Sequence, residues 1–252
     1  MNQIDFFRNL FERNLISRFF NYLKKKYRDF MKFISRLMID YDIVDDALDV
    51  NSKTKKKLYK EARGMTKEYH NDVSEKEVKT ITDVLKDTIK EFQKFWGYKV
   101  GKSDVEKMLK ESFKGKHFSE RVWDNEQAVA ARLEKNLRDF INGKTTISKI
   151  KKDIEETFNT SRYNAKRLVD TEVSRLHDKV FKNFCKNSGV TWIKWNAILD
   201  ERVCDSCASI HGKSFKLKEA PDLPQHPNCR CFFEIDLEKE TELDLKRGAS
   251  NE

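Results

Sequence analysis

Four of the five cysteines in this 252-residue chain fall in one short stretch, as two pairs: Cys204-Asp-Ser-Cys207 and Cys229-Arg-Cys231. His226 precedes the second pair in the run His-Pro-Asn-Cys-Arg-Cys, and all three prolines, Pro221, Pro224 and Pro227, lie between or beside the pairs. A Cys-x-x-Cys turn holds two thiolates close enough to share one ion. Two such half-sites separated by a loop are the usual pattern of tetrahedral zinc. Cys204 and Cys207 form the first half. The second draws two ligands from His226, Cys229 and Cys231, one candidate more than a four-coordinate ion needs. With residues 229–231 extended, both cysteines face the same side, so the spacing leaves that choice open. We expect one structural Zn2+ in a closed site. Disulfides fit less well, because nothing marks secretion and reducing compartments keep thiols free. His211 reads as a turn residue ahead of Gly212, and Cys185 as a small buried apolar residue on a helix.

The segments around these cysteines read as short strands. Trp192 to Leu199 places Ile193, Trp195, Ala197 and Leu199 on one face, and Lys213 to Leu217 and Arg230 to Ile235 are similar. They suggest an antiparallel sheet of two or three strands. So small a sheet is marginal alone, and a metal would supply the missing stabilisation.

The rest of the chain reads differently. Charged residues make up 37% and hydrophobic ones 38%, with only 8 Gly against 18 Phe. That balance excludes an all-β fold and a disordered chain alike, and favours long amphipathic helices. The expected fold class is mainly α: an elongated helical body with a small C-terminal zinc-stabilised antiparallel β module, α+β overall. The net charge of +9 suits an acidic partner such as nucleic acid, although the 42 acidic residues are interspersed with the 51 basic ones. Asp5, Arg8, Glu12 and Arg13 interrupt the N-terminal apolar clusters, so no signal peptide or membrane span is read there and a cytoplasmic protein is expected.

Residues 2–39 read as one amphipathic helix carrying Phe7, Phe11, Leu15, Phe19 and Leu23 every four positions. Lys24, Lys25, Lys26 and Arg28 form a basic patch on it. The Asp-rich run from Asp40 to Asp49 reads as the start of a further helix, facing basic residues that include Lys55, Lys56 and Lys57. These seven cations are the candidate nucleic-acid contacts. Ser74-Glu-Lys-Glu77 fits a capping box that opens a helix to about Trp96. A short helix starts at Ser103, a longer one covers 118–142, and Thr146 or Ser148 caps the next. Ser161 then opens a last helix, to about Asn187. Gly143-Lys-Thr-Thr is no phosphate loop, because a helix precedes it and Arg138 stands where the first glycine belongs. No catalytic residue is expected: Thr171 and Glu172 read as a structural hydrogen bond or salt bridge, since neither has a partnered base or nucleophile.

The order aromatic strand, Asp200, Cys204-x-x-Cys207, His211-Gly212 and His226-Pro-Asn-Cys229-Arg-Cys231 resembles the C-terminal module of phage head-morphogenesis minor capsid proteins, the Mu protein F-like group. Val169-Asp-Thr-Glu172 is similar to an Arg-Thr-Glu segment of that family, with Asp170 in place of Arg. Phe118-Ser-Glu-Arg121 with Trp123 resembles the start of its helical half. The resemblance spans about residues 116–236. It divides the chain into an N-terminal helical region (1–115), a helical half (116–188), a zinc-binding β module (189–236) and a charged tail (237–252). It implies a non-enzymatic head protein of a tailed phage or prophage. The implied partners are portal, capsid and scaffold proteins and packaged double-stranded DNA, with no membrane. The implied location is the host bacterial cytoplasm during assembly and then the virion head. A zinc-containing DNA-binding regulator is the alternative, and a phage-encoded hydrolase or toxin-type effector a more remote one.

Overall fold

The computed structural model describes residues 15–249, and their side chains through residue 243. The apolar stripe read at Phe7 and Phe11 lies outside the described residues. In order, the elements are α1 (Ser17–Asp40), β1 (Asp42–Val44), β2 (Ala47–Asp49), α2 (Ser52–Phe95), α3 (Lys102–Lys110), α4 (Phe118–Ile141), α5 (Ile147–Asn187), β3 (Trp192–Asn196), α6 (Asp205–Ala208), β4 (Ser214–Lys216), β5 (Phe232–Ile235) and α7 (Leu237–Ala249). The fold is mainly α with small antiparallel sheets, the α+β class read from composition. Two compact units divide the described chain, one formed by residues 15–81 and 114–166, the other by 82–113 and 167–249. No helix among the described residues is long and apolar enough to cross a membrane.

The first unit is built by helical periodicity. Phe19, Leu23, Phe30, Ile34 and Leu37 of α1 are buried with Leu58, Ala62, Tyr69 and Val73 of α2, Val129, Leu133, Leu137 and Phe140 of α4, and Ile150, Ile154 and Phe158 of α5. Spacings of three and four keep each set on one face. At the centre the rings of Phe30, Tyr69 and Phe158 meet edge to face, with centroids 5.4 to 6.0 Å apart, the arrangement their quadrupoles favour. Gly143 (φ +71°) ends α4, and Lys144 donates back to the Asp139 carbonyl at 2.9 Å, a C-terminal cap that only a residue free of a Cβ adopts without strain. Thr146 caps α5, its Oγ1 accepting from the Lys149 N–H at 3.2 Å.

Three readings of the sequence fail in this unit. The Asp-rich run is a hairpin, not a helix start. Asp45 and Asp46 both take positive φ, 51° and 61°, as the tight turn between β1 and β2 demands, and Asp is among the few residues that tolerate it. Ser74 and Glu77 open no helix, because α2 runs unbroken through them. Ser161 opens none either, being interior to α5. The polar side chains mistaken for caps are buried. Glu126 of α4 accepts from Tyr69 Oη at 2.6 Å and from Ser161 Oγ at 2.9 Å. Glu77 is 1% exposed, and neither of its carboxylate oxygens has a hydrogen-bond partner.

This pair sets a pH dependence. Burial raises both carboxyls, and for Glu77 the neighbouring Glu126 charge adds to it; the Tyr69 and Ser161 hydroxyls oppose the rise at Glu126 alone. Glu126 therefore holds the donors, and Glu77 holds the proton. Unfolding frees Glu77 to ionise near its ordinary value of 4.5. Its contribution to stability is thus fully present below that pH and lost as pH rises through the higher folded value. Glu77→Gln, which fixes the neutral form, is expected to raise the thermal midpoint at pH 7 and leave it unchanged near pH 4. Equal midpoints for the two proteins at pH 7 would refute this account of the buried pair.

Candidate metal centre

The second unit carries the cysteine cluster. Gly189 (φ +74°) ends α5, Val190 donates to the Cys185 carbonyl at 2.9 Å, and the chain turns into β3. β3 is the central strand of three, antiparallel to β4 and to β5, with Trp195 opposite Phe233 and Ile193 opposite both Phe215 and Ile235. Ile193, Trp195 and Ala197 point into a core that includes Phe181, Cys185 and Phe233. Leu199, expected on the same face, is 60% exposed, because β3 ends at Asn196 and its alternation ends with it. Residues 237–252, read as a charged tail, include the helix α7. Its Glu240 carboxylate accepts from the backbone N–H groups of Thr191 and Trp192, occupying the donors at the start of the central strand.

The two cysteine turns meet at the end of this sheet. His226 Nε2 stands 3.1 Å from Cys204 Sγ and 3.5 Å from Cys207 Sγ, and Cys207 Sγ stands 4.0 Å from Cys229 Sγ. Two groups of donor atoms close enough to hold a metal ion result, Cys204–Cys207–His226 and Cys207–Cys229–Cys231, with Cys207 common to both. Ligands at tetrahedral angles around zinc sit roughly 3.5 to 3.8 Å apart, a range these spacings bracket. The donors enclose a cavity of about 20 Å³, room for one small ion. His226 Nδ1 lies 3.0 Å from the Pro227 carbonyl. A proton there fixes the tautomer that turns the Nε2 lone pair toward the sulfurs. His211 is no part of the cluster: its Nδ1 accepts from the Ala197 N–H at 3.1 Å. Cys185 is buried elsewhere in the core, its thiol pushed up to about 12 by burial.

Crowding of the thiols shows in their proton affinities. A hydrogen bond from Cys231 holds Cys229 down at about 5, while Cys231 itself is raised. Burial raises Cys207 to about 12, and a hydrogen bond with Ser206 lowers the more exposed Cys204 to about 7. Four thiols packed this closely cannot all ionise without a cation among them.

The supporting residues were less legible. Arg230 donates to both carboxylate oxygens of Asp200, one of the two bonds at 2.7 Å. This fork holds the loop after β3 against the second cysteine turn and keeps Asp200 near pKa 2. α5 holds the second turn from its other side. Thr171 Oγ1 accepts from the Asn228 N–H at 3.2 Å, Ser174 Oγ donates to the Cys229 carbonyl at 3.2 Å, and Asp178 accepts from the Leu223 N–H at 3.1 Å. Glu172 pairs with Arg175 at 2.7 Å, a contact of the kind read for it. Asp200, Thr171 and Arg230 stood in the motifs, but only their spatial pairing shows what each does.

The proposed nucleic-acid contacts lie in the first unit. Lys24, Lys25 and Arg28 are exposed on α1, Lys56 and Lys57 are exposed near the start of α2, and Lys55 is half-buried. Lys26 is committed elsewhere, 3.0 Å from Glu68 and 2.6 Å from Asp72, with 12% of its side chain exposed.

Residues 129–234 match the model of a protein family described as Phage Mu protein F like protein. The match lies within the segment whose motifs carried the resemblance and starts beyond Phe118–Trp123. It covers less than half of the chain but takes in every candidate metal ligand together with Asp200, Thr171 and Arg230. No curated protein and no solved structure matches the chain.

If α5 holds the second cysteine turn through side-chain hydrogen bonds, Thr171→Val and Ser174→Ala should each cost about 1 kcal/mol. Denaturant midpoints measure the cost. Hydrogen exchange should quicken between residues 222 and 231 more than elsewhere, and a uniform change along the chain would contradict this docking.

Proposed function

We propose that this chain is a head-morphogenesis protein of the tailed-phage type, a minor capsid component acting in procapsid assembly by binding rather than by turnover. The observation that carries the reading is the family match over 129–234, coincident with an intact cysteine–histidine cluster on its own docking helix. The partners that follow are portal, capsid and scaffold proteins, with nonspecific contact to packaged duplex DNA. The host cytoplasm during assembly and then the virion head are the corresponding locations. Protein thiols and an imidazole suffice to fill a tetrahedral shell here, which supports a structural metal over a catalytic one. The one helix among the described residues of the cysteine segment is the four-residue α6, which belongs to the first cysteine turn and carries Cys207, so the ligands frame no recognition helix of the zinc-finger kind.

Zinc suits this donor set, because soft thiolates and an imidazole at tetrahedral spacing select it over hard-oxygen cations. We assign its ligands as Cys204, Cys207, His226 and Cys229, the set joined by the three short distances through Cys207 and His226. Cys231 then stands beside Cys229 as a hydrogen-bonding neighbour. The metal would fix both loops at one end of the three-stranded sheet.

Purified protein should contain one zinc per chain. Cys204→Ser and Cys229→Ser should lower that stoichiometry at least tenfold under mild chelation, and Cys231→Ser should keep it. Retention by Cys229→Ser with loss by Cys231→Ser would exchange the two assignments. Sedimentation of particles from an induced host tests the biological role: the chain should travel with procapsids, and its confinement to the soluble fraction would reject the head-protein reading.

A further inference from the structure

In the first unit, α2 and α4 border an open cleft of about 670 Å³. Lys60, Arg63 and Lys67 of α2 line it, at positions i, i+3 and i+7 of one helical face, with Glu134 and Arg138 of α4 opposite. Several other cations of this unit are paired. Lys26 meets Glu68 and Asp72, Arg36 meets Glu61 at 2.7 Å, Arg132 meets Glu156, and Lys149 meets Asp153 at 2.5 Å. In the cleft the one carboxylate, Glu134, is taken by Arg138 at 2.9 Å. Lys60, Arg63 and Lys67 have no carboxylate partner among the described residues. Three like charges left facing one concave surface repel one another, and an anion in the cleft would relieve that repulsion.

Gly64 is the second, independent observation. It sits inside α2 between these cations, where Gly costs roughly 1 kcal/mol relative to Ala. Its backbone needs no glycine, and a Cβ added there would meet nothing within 4 Å. Nothing inside the protein accounts for a missing side chain at this point, and its absence leaves the middle of the cleft open to something from outside.

We propose that this cleft binds the phosphodiester backbone of duplex DNA. The geometry favours a linear polyanion over a single ion. Lys60 to Lys67 spans about 10.5 Å of helix axis, and a DNA strand carries one charge per roughly 3.4 Å of its axis, so the three cations lie along a run of about three phosphate steps. The Tyr59 ring and the open face at Gly64 give the sugar–phosphate chain a partly apolar floor. No Asn or Gln lines the cleft, so the contact positions a backbone and reads no adenine edge. The binding is independent of base sequence. The head-assembly reading explains only why duplex DNA would be within reach; a chain absent from particles could still bind DNA through this cleft.

Fluorescence anisotropy on the full chain with a mixed-sequence duplex tests the proposal. Three phosphate contacts contribute about −2.7 to the slope of log K against log salt, a weakening of about forty-fold between 50 and 200 mM. The variant Lys60→Ala/Arg63→Ala/Lys67→Ala should flatten the slope by that amount. The charge-matched variant Lys186→Ala/Lys213→Ala/Lys218→Ala, at exposed positions in the second unit, should leave it unchanged. Gly64→Leu keeps every charge and fills the middle of the cleft, and should weaken binding at least tenfold while its circular dichroism melt is no lower than that of the parent chain. Equal losses in the two triple variants would make the attraction a general effect of net charge and overturn the proposal. Unchanged binding by Gly64→Leu would place the DNA elsewhere and overturn it too, as would binding of inorganic phosphate in the cleft with no affinity for duplex.

Discussion

A three-stranded sheet with strands of three to five residues cannot hold itself together, and the cysteine cluster is the constraint that answers this. Cys207 is the pivot, adjacent both to the Cys204–His226 side and to the Cys229–Cys231 side. Around it, the bidentate Asp200–Arg230 pair and the α5 hydroxyls bind the same loops from outside. The thiols, the ion pair and the helix therefore act on one object, the second cysteine turn. Each alone is modest, and an exposed ion pair by itself would contribute little. Their convergence makes the loop geometry specific.

α5 has two jobs, and they explain its length. Its N-terminal part contributes Ile150, Ile154 and Phe158 to the core of the first unit. Its C-terminal part presents Thr171, Ser174 and Asp178 to the loops around the cysteine cluster and Phe181 and Cys185 to the core beneath the sheet. In this second part Thr171, Ser174 and Asp178 hydrogen-bond to neighbouring loops, where an isolated amphipathic helix would have met water. His177 is fully buried against Phe92 and Trp96, at 4.8 and 5.5 Å, and burial holds it neutral, its pKa near 4.

The misread helix starts share a cause. Ser74, Glu77 and Ser161 are residues that cap helices when they lie near an end, and nothing local distinguishes an end from an interior. What does distinguish them is packing: Ser161 finds the Glu126 carboxylate across the core, and Glu77 is buried with no donor at all. The Asp45–Asp46 turn was illegible for a similar reason. Asp is common both at helix starts and at positive φ, and the choice was made by a two-residue hairpin whose Leu48 is buried in the first unit. Density marks the basic run around residue 55, but Lys60, Arg63 and Lys67 are set apart by their alignment along one cleft, which is no property of composition.

The amino-acid order alone settled that the body is helical, because apolar residues recur every three to four positions. It also marked the one place where thiols and an imidazole could gather, since paired cysteines beside His226 impose close approach on any fold that contains them. Tertiary structure alone decided which helices run on without a break, which charged groups are neutral, and which hydroxyls hold the cysteine loops. Those outcomes depend on what lies across the core from each side chain, at separations such as the 35 residues between Glu126 and Ser161, and a local pattern carries no record of a neighbour that distant.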